Sequence, residues 1–291
     1  MRAPFAEIVD YAGLFPPASC TMADSVRQYD VYRRSEERWM LGRFVVAATR
    51  LQEFGEAIET GGIGVDPRDP WRLSVGMGAH VPAELARIAA FQAAWEPRGV
   101  LADSIEYKVM SVGQVLALGE QIPRVFRRFF EVPQVGPYRD LVGAIGEVGA
   151  LAKLRTGGMS ADLFPAATEV TRFLLAVVKH GVPFKATAGL HHPFRGQYPI
   201  SYAHDAERQM MYGFVNLLLA TAELLRGGEG ETAQAILEEA DRSTIVHDAT
   251  GLTWRGSHYT EAELTMAHQQ LFIGFGSCSF REPIDELGVA A

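Results

Sequence analysis

Residues 151–188 read LAKLRTGGMSADLFPAATEVTRFLLAVVKHGVPFKATA. Two short apolar runs, 151–155 and 183–188, flank a stretch at 166–180 in which Val170, Phe173, Leu174 and Val177 recur at helical spacing. Strand, helix and strand in so short a span make a βαβ unit, which joins parallel neighbours in one sheet. Each strand carries one lysine, Lys153 and Lys185. Alternation along a strand turns both away from the face that the helix covers, so they converge on whatever the other face encloses.

The same rhythm continues in both directions. Six more apolar runs, 8–15, 43–49, 72–76, 104–110, 127–132 and 271–277, alternate with helical patterns at 22–38, 51–60, 82–95, 111–121 and 137–148. Eight strand–helix units predict closure into a single (β/α)8 TIM barrel spanning residues 1–291. Segment 191–268 interrupts the rhythm with a long helix at 205–226, a second at 231–241, a hairpin around HDATGLTW and a helix leading into the eighth strand. It is a mostly helical insertion between strands seven and eight. Insertions at that end of a barrel shape the site or make contacts, so a lid and a homo-oligomer contact are its two readings.

Composition narrows the function. Of 291 residues 48% are apolar, and the net charge is -8; that acidity offers no footprint for nucleic acid. The longest apolar run, FVNLLLATAELL, is interrupted by Asn216 and Glu223, which argues against a membrane span. The opening MRAPFAEIVD lacks a charged segment followed by an apolar one, so the expectation is a cytoplasmic protein. Cys20 and Cys278 make neither a disulfide framework nor a zinc spacing. Of the 27 basic residues only four are lysine, Lys108, Lys153, Lys179 and Lys185. Arginine has taken over the solubilising role. It cannot form a Schiff base, so a lysine retained inside an apolar strand points to chemistry.

Two ammonium groups on neighbouring strands repel, and burial adds to the repulsion. Both effects lower a lysine pKa and yield the neutral amine that attacks a carbonyl. SIEYKVMS places Glu106 and Lys108 two apart on one strand face, and EIVDYAGLF supplies Asp10, giving carboxylates to move protons. Gly157 and Gly158 after the sixth strand form either an anion nest or a βα turn. Arg155 and the pair His191 and His192 stand where an anionic substrate group would be held.

The order KLRTGG, helix, FKATAGL resembles the deoxyribose-phosphate aldolases, class I aldolases with paired lysines on strands six and seven. VDYAGLFPPASCTMADSVRQY is similar to their first strand and turn, and FGSCSFREPIDEL to their phosphate-binding turn before a helix. The resemblance covers roughly 1–190 and 268–287. It implies an imine on Lys153, a pKa-lowering role for Lys185, and Glu106 where the family has an aspartate. It also implies anion contacts from Gly276, Ser277 and Ser279, and no cofactor. Arg155 departs from the family's small hydroxyl residue, and the loop after strand seven is rebuilt. The expected substrate is therefore a small carbonyl compound with an anionic group, other than deoxyribose phosphate. Two alternatives remain on the same barrel. One is a metal-dependent hydrolase or isomerase using His191 or His192 with Glu131, His204 and His258 being further ligand candidates; the other is a non-catalytic scaffold.

Overall fold

A computed structural model describes residues 1–288. Each expected apolar run forms a strand: β1 (Val9–Tyr11), β2 (Leu41–Ala47), β3 (Trp71–Gly76), β4 (Val100–Lys108), β5 (Arg127–Val132), β6 (Leu151–Arg155), β7 (Phe184–Thr187) and β8 (Phe272–Ser277). All neighbours pair in parallel, and β8 closes the ring between β7 and β1. The chain is thus a closed α/β barrel. Helices α1 (Met22–Arg33), α2 (Leu51–Thr60), α3 (Val81–Trp95), α4 (Val112–Gln121), α5 (Tyr138–Glu147) and α6 (Ala167–His180) follow the first six strands in turn.

Alternation divides the strand residues between two environments. Phe44 of β2 meets Phe54 of α2 with ring centroids 5.0 Å apart, and Phe184 of β7 meets Phe173 of α6 at 5.2 Å. These rings face outward into a buried layer between barrel and helices. Their chain neighbours face inward. Arg43 of β2 bonds Asp103 of β4 through Nε at 2.6 Å, bypassing the intervening β3, a path open only through the barrel interior.

Arg128 is the exception among the outward residues. It is fully buried, and Nη1 donates to the Gly119 carbonyl at the end of α4 at 2.8 Å. Nη2 donates to the Val148 and Gly149 carbonyls just beyond α5. One guanidinium thus satisfies carbonyls at two helix ends that have no partner within their own helices.

Segment 191–268 departs from the expected pattern at one place. The helix expected over 205–226 begins only at Phe214. Residues Arg208–Met211 instead form a strand, antiparallel to Gly196–Pro199. Gly213 sets the break: a Cβ there would collide with the Pro193 carbonyl, and the Phe214 N–H donates to the His192 carbonyl at 3.1 Å. From there α7 (Phe214–Leu225) packs against α6 and β8 as the seventh outer helix, with Phe214 stacked on Phe275 at 4.9 Å. Asn216, which interrupts the apolar run, is fully buried. It accepts the Arg195 N–H and donates to the carbonyls of Ile236 and Glu239, each at 2.9 Å. Helix α8 (Gly230–Glu238) follows, then the expected hairpin, which a third strand, Ser257–Thr260, extends. Thr260 and Glu263 close a capping box that starts α9 (Glu261–Gln270), and α10 (Arg281–Leu287) follows β8.

The pattern at 22–38 also divides, with α1 ending at Arg33 and a 3-10 turn following over Glu36–Met40. Among the described residues no helix is long and apolar enough to cross a membrane. Arg128→Met should lower the unfolding free energy by about 3 kcal/mol, since it strips buried carbonyls of their donor; urea denaturation measures it.

Candidate active site

Asp10, Ser74, Glu106, Glu131, Lys153 and Lys185 come from six different strands and meet inside the upper barrel. Register places Lys153 beside Lys185, and Glu131 beside Lys153. The expected convergence of the two lysines is present. Between them lies Glu106, whose Oε2 is 2.7 Å from Lys153 Nζ and whose Oε1 contacts Lys185 Nζ. The alternation of charge continues outward on both sides. Lys153 is also 2.7 Å from Glu131, and Lys185 is 2.8 Å from Asp10. Ser74 donates to Glu106 at 2.5 Å and accepts from Lys185 at 3.3 Å. Asp10 is fixed from behind by the Arg43 backbone N–H at 2.7 Å.

The two lysines are not equivalent. Lys185 donates to Asp10 and Ser74 and is ion-paired with Glu106, and its Nζ lies 4.8 Å from the centre of the Phe129 ring. Among the described residues Lys153 has only two partners, Glu106 and Glu131. Both lysines reach the barrel mouth. There a cavity of about 670 Å³ is lined by both lysines, Glu106, Glu131, Arg155, His191, His192 and a ring of loop residues.

This pairing reverses the pKa expected for Lys153. Burial lowers it, but the carboxylates of Glu106 and Glu131 outweigh burial and hold it above the ordinary lysine range. Burial likewise pushes Glu106 up, and the charges of Lys153 and Lys185 more than offset that, leaving it well below the carboxylate range. The repulsion between the lysines is cancelled because a carboxylate stands between them. Nothing in the two lysine-bearing segments announces it; Glu106 comes from β4.

The remaining expected site residues are distributed around the mouth. Lys108 is exposed, with Nζ 3.8 Å from Glu131, and Arg155 Nε lies 3.6 Å from the same carboxylate. Gly157 and Gly158 serve packing. A Cβ on Gly157 would lie 2.7 Å from Phe164 and 2.8 Å from the Gly189 Cα, and one on Gly158 would strike Leu163. Gly276 pairs with Asp10 and lines the cavity. Ser277 is buried with its hydroxyl 3.2 Å from His191 Nδ1, and Ser279 accepts the Glu282 N–H at 3.2 Å.

His191 and His192 are served by Glu282 and Glu286, one turn apart on α10. His191 Nδ1 is 3.5 Å from Glu282 and 3.7 Å from Cys278 Sγ. Burial lowers the His191 pKa, but hydrogen bonds to Cys278 and Glu282 prevail and push it up to about 9. His192 bonds Glu286 at 2.9 Å and stacks on Tyr198. His258 lies in the three-stranded sheet, where it bonds Thr253, and His204 is in an exposed turn. Among the described residues no three His, Cys, Asp or Glu side chains are grouped to hold a metal. Glu131 pairs with Lys153, and His191 and His192, which also line the cavity, contact Glu282 and Glu286 of α10.

Sequence reading missed Ser74, Glu282 and Tyr202, whose hydroxyl lies 3.5 Å from Cys278 Sγ at the cavity, and it treated Glu131 only as a metal ligand. A small polar residue inside WRLSVG was a usable signal for Ser74. Glu282 gave none, because it reads as one more charge on a surface helix. No known family model matches the chain, and no curated protein matches it. What defines the molecule is an α/β barrel with a lysine–carboxylate centre at its mouth.

The ladder sets a pH window. Glu106 is depressed in the fold, so its contribution is complete above about pH 4.3 and is lost on acidification. Lys153 is raised, so its contribution is complete below about pH 10.4 and is lost at higher pH. Melting temperature against pH should show a plateau between these limits. Glu106→Gln, which leaves two buried ammonium groups short of a partner, should cost about 3–5 kcal/mol in the same assay.

Proposed function

We propose that the protein is a class I aldolase-like lyase, which joins or cleaves a carbon–carbon bond through an imine on Lys153. Its substrate is a small carbonyl compound bearing an anionic group, with Arg155 as the counter-charge. The observation that carries this reading is the inequality of the lysines. Lys185 has three polar partners, Asp10, Glu106 and Ser74, whereas Lys153 has two, Glu106 and Glu131, at the floor of a cavity of substrate size.

The reaction begins with a proton passing from Lys153 to Glu106, 2.7 Å away. The ladder opposes this transfer, which removes the anion between two ammonium groups, so the free amine is a minor form that the carbonyl captures. The amine adds to the carbonyl carbon. The carbinolamine oxygen takes the proton held by Glu106 and leaves as water.

The resulting iminium stands where the ammonium stood, between Glu106 and Glu131. The ladder that holds a cation in the free protein is therefore complementary to the cationic intermediate, a preorganised form of electrostatic catalysis. Scission sends the electron pair of the breaking carbon–carbon bond into the iminium, while a base takes the proton of the departing hydroxyl. Protonation of the enamine carbon and hydrolysis by water then return Lys153. His191, which keeps its proton to about pH 9, is the acid–base group at the end of β7, and Asp10 holds Lys185 in place.

Borohydride reduction in the presence of small aldehydes and ketones, read by intact mass and peptide mapping, should give an adduct on Lys153. Its rate should rise through the alkaline range as the free amine forms. Lys153→Arg should fold and lose the adduct, while Lys179→Arg, on the exposed end of α6, should change nothing. Equal effects of the two substitutions would remove the imine.

A further inference from the structure

The cavity is polar at its floor and apolar in its walls. Above the ladder it is lined by Phe15, Met77, Met159, Leu163, Ile200 and Met211. Phe15, Met159 and Tyr202 are 38%, 43% and 58% exposed, unusual for such side chains when they share one opening. They come from the segments after β1, after β6 and from the turn of the 196–211 hairpin. A single exposed apolar residue needs no explanation; three converging on one cavity mark a surface that an apolar ligand covers.

The turn where a phosphate is expected is already occupied by the protein. The Ser277 hydroxyl meets His191, the Ser279 hydroxyl caps the Glu282 N–H, and the Glu282 carboxylate itself lines the cavity beside His191. A phosphate dianion there would have to displace Glu282 from the His191 cation, 3.5 Å away. The loop after β6 offers no alternative, because Gly157 closes against Gly189, where Ala188 and Gly189 turn the chain through the left-handed region (φ 57° and 68°). Besides the two ladder lysines and His191, which contacts both Glu282 and Cys278, the cations lining the cavity are Arg155 and Lys108. Both are held only loosely, 3.6 and 3.8 Å from the one carboxylate of Glu131.

We propose that the substrate is an apolar oxo acid: its body is aromatic or branched aliphatic, and its single charged group is a carboxylate rather than a phosphate ester. The carboxylate lies beside Arg155, the carbonyl reaches Lys153, and the body rests on Met159, Leu163 and Ile200. Only the placement of the carbonyl rests on the imine reading; the apolar body and the carboxylate do not.

Hydroxy acids, which have no carbonyl and form no imine, separate the two. In calorimetric titrations of the full chain, phenyllactate should bind at least about tenfold more tightly than lactate, the gain expected for burying a phenyl ring. Inorganic phosphate should not displace it. Met159→Gln, which removes apolar surface without adding charge, should remove most of that advantage and leave lactate binding within about twofold; Tyr202→Ser, at the most exposed of the three positions, is the second probe should the first variant not fold. Equal binding of lactate and phenyllactate, no binding of phenyllactate, or its displacement by phosphate would overturn the proposal. If phenyllactate binds but phenylpyruvate gives no borohydride adduct, the imine fails and the apolar-acid site stands. Adducts of pyruvate and glycolaldehyde phosphate on Lys153, with no gain from the phenyl ring, would leave the imine standing and remove the apolar-acid site.

Discussion

One carboxylate shared by two ammonium groups is the constraint on which the site depends. Without Glu106, Lys153 and Lys185 would be adjacent cations in a barrel interior, each buried at a cost that neither could bear alone. With it, charges alternate from Asp10 through Lys185, Glu106 and Lys153 to Glu131. Each member is meaningful only with its neighbours in place, and the neighbours lie on separate strands. The closed barrel is what brings them to one level, so the geometry of closure and the electrostatics of the centre are a single problem.

Such a ladder is a poor way to gain stability. Buried ion pairs at best balance the desolvation of their members, and apolar residues of similar volume would fill the same space with less penalty. The outer layer shows what this chain does where stability alone is at issue: Phe44, Phe54, Phe173 and Phe184 pack ring against ring. A charged interior beside that aromatic layer is consistent with a centre kept for chemistry.

The fold was largely legible because parallel strands buried on both faces read as apolar runs, and the outer helices carry a strong helical period. β5 and β6 begin and end where their apolar runs do. Legibility failed where tertiary contacts override local pattern. Met210 and Met211 look like part of the helical face that follows, yet the close approach of Gly213 to Pro193 forces the chain to restart. The lysines were legible through scarcity: against 23 arginines, four lysines stand out, and two of them lie in strands that pair. Their pKa environment was not, because it depends on Glu106 and Glu131, two and one strands away from Lys153. Nor was the self-occupied turn after β8, which follows from where α10 turns Glu282 and not from FGSCSF itself.

The scarcity of lysine also makes the central claim directly measurable. With isotope-labelled lysine, the protein gives four side-chain signals by NMR, and Lys153→Arg identifies one of them. If the carboxylate ladder governs the centre, the Lys153 signal in the free protein titrates above the ordinary lysine range, as its place between Glu106 and Glu131 requires. A Lys153 signal that titrates below that range would mean that repulsion from Lys185 and desolvation prevail, and that the ladder does not hold the two lysines as described.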